Sequence, residues 1–474
     1  MISASKRLLY GTLLVVAGAI VITAKAQQSA VAPTPPMGWN SWDSYGLTIT
    51  EQQFRDNVTV QKQKLLPFGW RYAVIDEGWF FENPQDRETP DKLHYAIDSH
   101  GRYVPVPARF PSAVNGAAAS PQPASTGKLP ATVEETNFTE IGRWVHAQGL
   151  KFGIHIVRGI PRVSVERSLP IEGSRFSTQD AADTSDSCPW DPTNWGVRDN
   201  AAGQAWYDSL LRQYASWGVD LLKVDCISDH PYKVDEIRMI RRAIDKTGRP
   251  IVLSLSPGPT QLAHAQEVGS LAAMWRISDD IWDVWAKPSQ DFPQTIQSQF
   301  ARLAAWACYT RPGNWPDADM LPLGELRPSP GWGAPRHSQL TPDEQRTQLT
   351  LWAIARSPLI LGANLTMLDE PILALLTNRE VIAIDQTATE SSEVLHEGVT
   401  IAWRASLPQG KVALAIFNTG DTPLKIDRKF ADFGSSFGKR KWSVRNVWDA
   451  KESGRADSIT QELAPHTCVL LVLR

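Results

Sequence analysis

From about residue 33 to 370 the chain alternates short apolar runs with amphipathic stretches, and this alternation constrains the fold more than any other feature. The runs at 38–42, 71–76, 151–156, 221–225, 251–255, 274–278, 309–315 and 358–361 are short and evenly apolar, as buried strands are. Between them, 51–64, 138–148, 203–217, 233–246, 293–307 and 341–356 read as helices. The last opens on Thr341-Pro342-Asp343-Glu344: Thr caps, Pro sits where its missing N–H costs nothing, and Glu returns the capping bond. Helical crossovers make successive strands parallel, and eight such units point to an α/β fold closed as a (β/α)8 barrel rather than an open sheet. The barrel is expected over residues 27–380.

After about residue 385 the texture changes. Segments 399–405, 411–418, 441–447 and 468–473 are short, partly alternating and separated by Gly, Pro and Asp, with no helical period. An antiparallel β-sandwich is expected at 386–474. Two stretches interrupt the barrel pattern, 82–133 and 159–200, each following a strand on the face where barrel enzymes build their sites. The first holds a small-residue tract at 116–127 that reads as a surface loop. The second, with Arg158 just before it, carries Arg162, Asp183, Asp186, Cys188 and Trp190, and reads equally as a substrate-binding loop or a structural lid.

Composition narrows the function. With 42% apolar and 21% charged residues the chain can bury a large core, and a net charge of -3 leaves no basic excess for nucleic acid. Tryptophan is abundant, 19 against 14 Phe and 9 Tyr. Trp39, Trp42, Trp79, Trp190, Trp275 and Trp315 fall in or beside strand ends, where an indole could stack on a sugar ring. Trp144 and Trp352 lie in helices and read as core.

Residues 1–26 read as a secretory signal: Lys6 and Arg7, an apolar run from Leu8 to Ala24, then Ala24-Lys25-Ala26 for the peptidase. The alternative is an uncleaved anchor. Cleavage would remove three cations, taking the charge from -3 to -6, and leave a secreted or periplasmic protein free of the membrane. Four cysteines, Cys188, Cys226, Cys308 and Cys468, show no zinc-site spacing. No metal or cofactor is expected.

Chemistry gathers where the strands end. Asp76 and Glu77 close the second, His155 the third, Lys223 and Asp225 the fourth, Ser254 and Ser256 the fifth. Arg276, Asp279 and Asp280 end or follow the sixth, and Asp317 and Asp319 the seventh. A single carboxylate at a strand end is usually a helix cap. Six successive ends with ionisable or hydroxyl groups, including Glu and Arg, exceed what capping explains. A pit of carboxylates with Lys, Arg and Trp suits a carbohydrate: one carboxylate serves the anomeric carbon, a protonated partner the leaving oxygen, and the others hold hydroxyls. Those residue types alone leave open which two acids react.

Seven motifs stand in order: PPMGWNSW at 35–42, YAVIDEGW at 72–79, GLKFGIH at 149–155, LLKVD at 221–225, MWRISDDI at 274–281, GNWPDADML at 313–321 and ARSPLILGANL at 355–365. Together they resemble glycoside hydrolase family 27, the α-galactosidase and α-N-acetylgalactosaminidase family, over residues 33–370, with the sandwich resembling that family's second domain. The resemblance implies an exported, retaining exo-glycosidase of terminal α-D-galactosyl residues. It implies Asp225 as nucleophile, from the Lys-x-Asp motif, and Asp280 as acid/base, from Trp-Arg-x-x-x-Asp, with neighbouring Asp279 as the alternative acid. Lys223 and Arg276 would hold hydroxyls, Trp42 would floor the sugar ring, and Asp76 would bind the C4 and C6 hydroxyls.

Departures from the pattern bear on specificity. Glu77 stands where relatives commonly have a second Asp, and His155 where they usually have Tyr. Relatives carry a Cys two places after the fourth-strand Asp, bridged to the preceding loop; Cys226 comes one place early, so the resemblance implies a Cys188–Cys226 disulfide. At the fifth strand Ser254-Leu255-Ser256-Pro257-Gly258 replaces a bulkier Cys-Glu-Trp-like group. Ser256 could leave room for a 2-acetamido group, or Pro257 and Gly258 could reshape the loop. The same scaffold thus also accommodates an α-N-acetylgalactosaminidase, a β-L-arabinopyranosidase, whose sugar is galactose without C6, or a catalytically silent sugar-binding protein.

Overall fold

The eight apolar runs pair in parallel. In the computed structural model, which describes residues 31–87, 92–114, 135–289, 292–330 and 333–474, they form β1 (Met37–Asn40), β2 (Tyr72–Ile75), β3 (Lys151–Val157), β4 (Leu221–Asp225), β5 (Val252–Leu255), β6 (Met274–Arg276), β7 (Trp315–Asp317) and β8 (Leu359–Leu361). The sheet order is β7-β6-β5-β4-β3-β2-β1-β8. Leu321, just past β7, bridges Leu361 in parallel, and its N–H donates to the Ile360 carbonyl at 2.7 Å. That bridge joins the two ends of the sheet, and a closed barrel leaves no free edge.

Two runs shift from the sequence reading. The seventh strand begins at Trp315 rather than filling 309–315, because Pro312-Gly313 turns the chain there: Asn314 N–H bonds the Arg311 carbonyl at 2.8 Å. The first ends at Asn40, whose side chain accepts from Trp42 N–H at 2.8 Å and starts a short turn of helix, Trp42–Tyr45.

The crossover helices include α1 (Glu51–Val60), α2 (Thr139–Ala147), α3 (Ala201–Ser216), α4 (Val234–Thr247), α5 (Ala265–Leu271), α6 (Gln299–Trp306) and α7 (Pro342–Ala355). The expected capping box of α7 is present. At two turns, α5 is too short to give a sequence signal. α6 starts six residues later than 293, because the preceding segment is strapped to the loop after β6: Gln294 N–H donates to the Asp280 carbonyl and Ile296 N–H to the Val284 carbonyl. Stretch 159–200 forms a three-stranded sheet of Ile160–Pro161, Ala182–Ser187 and Asn194–Val197 over the barrel mouth. The 1–26 signal and the 116–127 tract lie outside the described residues. Among the described residues no helix is long and apolar enough to cross a membrane.

Helix α8 (Arg379–Thr387) leads into β9 (Thr389–Glu397), β10 (Thr400–Leu407), β11 (Lys411–Asn418), β12 (Leu424–Lys429), β13 (Trp442–Asn446), β14 (Lys451–Ala456), β15 (Ser458–Leu463) and β16 (Cys468–Leu473). These make an antiparallel six-stranded sheet, β9-β10-β11-β16-β13-β14, facing a β12-β15 pair. Strand periodicity decides which core each side chain joins. Along β11, Val412, Leu414 and Ile416 point into the sandwich, while Ala413, Ala415 and Phe417 point into the core shared with the barrel. Leu470 and Val472 of β16 do the same, so α7 is buried between the two domains.

Candidate active site

The strand ends converge on a cavity of about 440 Å³, lined by Trp42, Asp76, Glu77, His155, Lys223, Asp225, Arg276, Asp279 and Asp280 among others. Strand pairing sets their positions: β3 lies between β2 and β4, with His155 opposite Lys223 and Val157 opposite Asp225. The alternation of side chains then sends Lys223 and Asp225 to the same face, inward.

Two charge clusters divide the pocket. On one side Lys223 Nζ meets Asp76 Oδ2 at 2.9 Å. Asp76 also accepts from Asn40 Nδ2, at 2.5 Å, and from the Glu77 backbone N–H. Burial pushes Asp76 up, but Lys223 and His155 overcome it and hold the carboxyl below the usual range. Lys223, despite burial, is held above the ordinary lysine value by Asp76, Asp225 and Asp280. Asp225 takes part in the same balance: burial would raise it, and the contact with His155 Nε2 at 3.4 Å, with the Lys223 charge, lowers it. Its other oxygen accepts from Trp190 Nε1 at 3.1 Å.

Opposite, Arg276 reaches Asp280 at 3.1 Å and Asp319 at 2.7 Å. Burial lifts Asp319 to about 7 against the pull of Arg276, and its Oδ2 accepts the Ile281 N–H. Asp280 is the most open of these acids, its side chain 37% exposed. Asp279 also lines the cavity and is raised by burial. Glu77 is buried with a carboxyl raised by burial, facing Arg87 and Asp191.

Other expected positions fall elsewhere. Ser256 is buried and lines a smaller void inside the barrel, while the cavity wall at the fifth strand is Pro257. The loop is pinned there: Gly258 N–H bonds the Ser278 carbonyl at 2.9 Å, and a Cβ at Gly258 would stand 2.6 Å from that same oxygen. Of the six strand-end tryptophans, Trp39, Trp79, Trp275 and Trp315 are fully buried and only Trp42 and Trp190 line the cavity. The others face away from the mouth because they sit within strands or under loops; Trp39 and Trp79 donate to the carbonyls of Ala363 and His155. Trp144 packs at the side of the core and Trp352 is buried. The Cys188–Cys226 bridge is present, with Cα atoms 5.9 Å apart.

The sequence reading missed several lining residues, Arg87, Phe292 and Pro330 among them. Asp43 is buried at the floor, its carboxyl raised well above the usual range by burial and by Asp319. It follows Trp42 directly, and that adjacency was the available signal. Trp282 and Met320 also line the cavity. Among the described residues no group of His, Cys, Asp or Glu is arranged to hold a metal ion. A low-lying carboxylate beside a lysine and a histidine, a second acid across the cavity and an indole in the wall can together bind a polyol ring and break an acetal.

Residues 200–387 match the alpha galactosidase A family, and 397–473 match the alpha galactosidase C-terminal beta sandwich domain. Among solved structures, a family 27 β-L-arabinopyranosidase from Geobacillus stearothermophilus is 37% identical, with a TM-score of 0.83 over 94% of this chain and 97% of that one. A Bacillus halodurans C-125 protein provisionally described as an α-N-acetylgalactosaminidase is 35% identical, with a TM-score of 0.77 over 93% and 96%. An α-galactosidase from Oryza sativa is 24% identical over 95% of this chain and 87% of its own length.

Proposed function

The chain belongs to glycoside hydrolase family 27, and we propose that it is an exported, retaining exo-glycosidase of galacto-configured pyranosides, acting by double displacement. The observation that carries this is the low-lying carboxyl of Asp225 beside His155 and Lys223, across the cavity from the Arg276-bound Asp280. In the first step an Asp225 oxygen bonds the anomeric carbon as the glycosidic C–O bond breaks and the Asp280 proton passes to the departing oxygen. In the second, Asp280 takes a proton from water, whose oxygen bonds the anomeric carbon and frees the Asp225 carboxylate. Trp42 floors the ring, and Lys223, Asp76 and Arg276 hold its hydroxyls.

For the sugar itself we favour a β-L-arabinopyranoside, with α-D-galactoside as the second reading. Glu77 supports the first: it is buried in the wall beside the hydroxyl-binding Asp76, and its extra methylene takes space that a C5 hydroxymethyl group needs. The 37% identity to the β-L-arabinopyranosidase points the same way. The α-galactosidase relatives, matched over nearly the whole chain, favour the second. The test is kcat/KM on aryl β-L-arabinopyranoside, α-D-galactoside and α-N-acetylgalactosaminide side by side. A preference of about 10-fold or more for the pentoside is expected, the size of a one-group difference in a tight pocket. A galactoside or acetylgalactosaminide ranked first overturns the sugar assignment, and no hydrolysis of any overturns the activity.

A further inference from the structure

Trp190 is among the most exposed large hydrophobic residues described, at 37%, yet its indole N–H is directed down onto Asp225 Oδ1 at 3.1 Å. The ring rests edge-to-face against His230, centroids 5.8 Å apart. The loop that carries it is fixed to the nucleophile's own strand end twice over. Cys188, two residues before Trp190, is bridged to Cys226, the residue after Asp225. Arg158 donates to the Cys226 carbonyl at 2.7 Å and to Asp186 of the loop at 2.8 Å, while its backbone N–H bonds the Asp225 carbonyl at 3.1 Å. Cys226 has a φ of 61°, a left-handed value that a non-glycine residue holds only when its surroundings impose it.

We propose that Trp190 is a positioning residue for Asp225: its N–H holds Oδ1 as the non-attacking oxygen and so presents Oδ2 to the anomeric carbon. This rests on Asp225 being the nucleophile. Of the two oxygens, Oδ2 is the less firmly held, with His155 Nε2 at 3.4 Å. When Oδ2 bonds the anomeric carbon, Oδ1 becomes the ester carbonyl and keeps its donor; when the ester is hydrolysed, the same N–H receives the returning carboxylate charge. The disulfide and Arg158 set the height of the indole, which an unanchored surface loop would lose to side-chain and backbone entropy.

The experiment compares Trp190→Phe, which keeps a ring but loses the donor, with Trp190→Ala and with a Cys188→Ser/Cys226→Ser double variant. Trp190→Phe is expected to lower kcat about 10- to 100-fold with KM little changed, the effect of removing a hydrogen bond to a charged group. The acid limb of kcat/KM should move to higher pH, because the other groups facing Asp225 (His155 from β3, Lys223 from β4, Asp76 and Glu77 from β2) are untouched. The double variant should move both quantities in the same direction, with Trp190→Phe in that background adding little. Thermal unfolding of Trp190→Phe near wild type shows that the fold is intact. A mechanism-based fluoroglycoside separates the two readings: if the label is not on Asp225, the nucleophile assignment fails. If Asp225 is labelled and Trp190→Phe leaves kcat and the acid limb unchanged, the positioning role is overturned.

Discussion

The two candidate acids after β6 differ in what holds them. Asp280 is bound to Arg276 and half open to the cavity, whereas Asp279 is raised by burial and lacks that ion pair. With Asp280 as the proton donor, Asp280→Asn should lose about 10²–10⁴-fold on substrates with poor leaving groups and far less on activated aryl glycosides, while Asp279→Asn shows no such split. The reverse pattern in a leaving-group series transfers the role to Asp279. A different buried acid makes a stability prediction. Asp385 is fully buried, its Oδ1 without a partner, and burial raises its carboxyl well above the usual range. A carboxyl raised in the folded state favours folding while it is protonated, and that contribution is lost as pH rises from the unfolded value through the folded one. Asp385→Asn should therefore melt higher than wild type at pH 8 and depend less on pH between 5 and 8; an unchanged slope in the melting temperature would refute this.

At the scale of elements, the cavity floor depends on β8 as much as on the strands that carry the charges. Gly362, just past β8, leaves room for Asp43: a Cβ there would stand 1.7 Å from Asp43 Oδ2. Gly362→Ala should displace Asp43 from the floor and lower kcat/KM at least about 10-fold, since small misplacements at a reacting centre are costly. The melting temperature should fall only modestly; kcat/KM within two-fold of wild type would show that Asp43's position is immaterial. The loop elements explain the misreadings. A Pro-Gly turn moved β7, and the strap of 292–297 onto the segment after β6 delayed α6, because hydrogen bonds to distant residues there outweigh local preference.

Across the whole molecule the barrel and sandwich share a core. Trp403, Phe417, Leu470 and Val472 join the same apolar cluster as α7's Leu351 and Trp352, and polar contacts knit the seam: Trp448 Nε1 donates to Thr350 Oγ1 at 3.0 Å, and His466 reaches Glu344 at 2.7 Å. The central strands β10, β11 and β16 are thus apolar on both faces, and the sandwich is not a detachable appendage. Thermal unfolding should show one transition, and Trp403→Ala should destabilise by about 3–5 kcal/mol while lowering the temperature at which activity is lost. Two resolved calorimetric transitions, with activity tracking only the first, would contradict a shared core.

The sequence alone determined the fold class and the gathering of acids and cations at successive strand ends, because strand and helix periods are local and strand ends fall on one rim whatever the loops do; it was the family resemblance that singled out Asp225 and Asp280 among those acids. It also marked Glu77 and His155 as departures. Only the tertiary structure decided which tryptophans meet the cavity, that Ser256 turns inward behind Pro257, that Asp43 lines the cavity, and that Trp190, on a disulfide-fixed loop, reaches Asp225. Those facts depend on distances between residues far apart in the chain, and no local pattern of residues encodes such a distance.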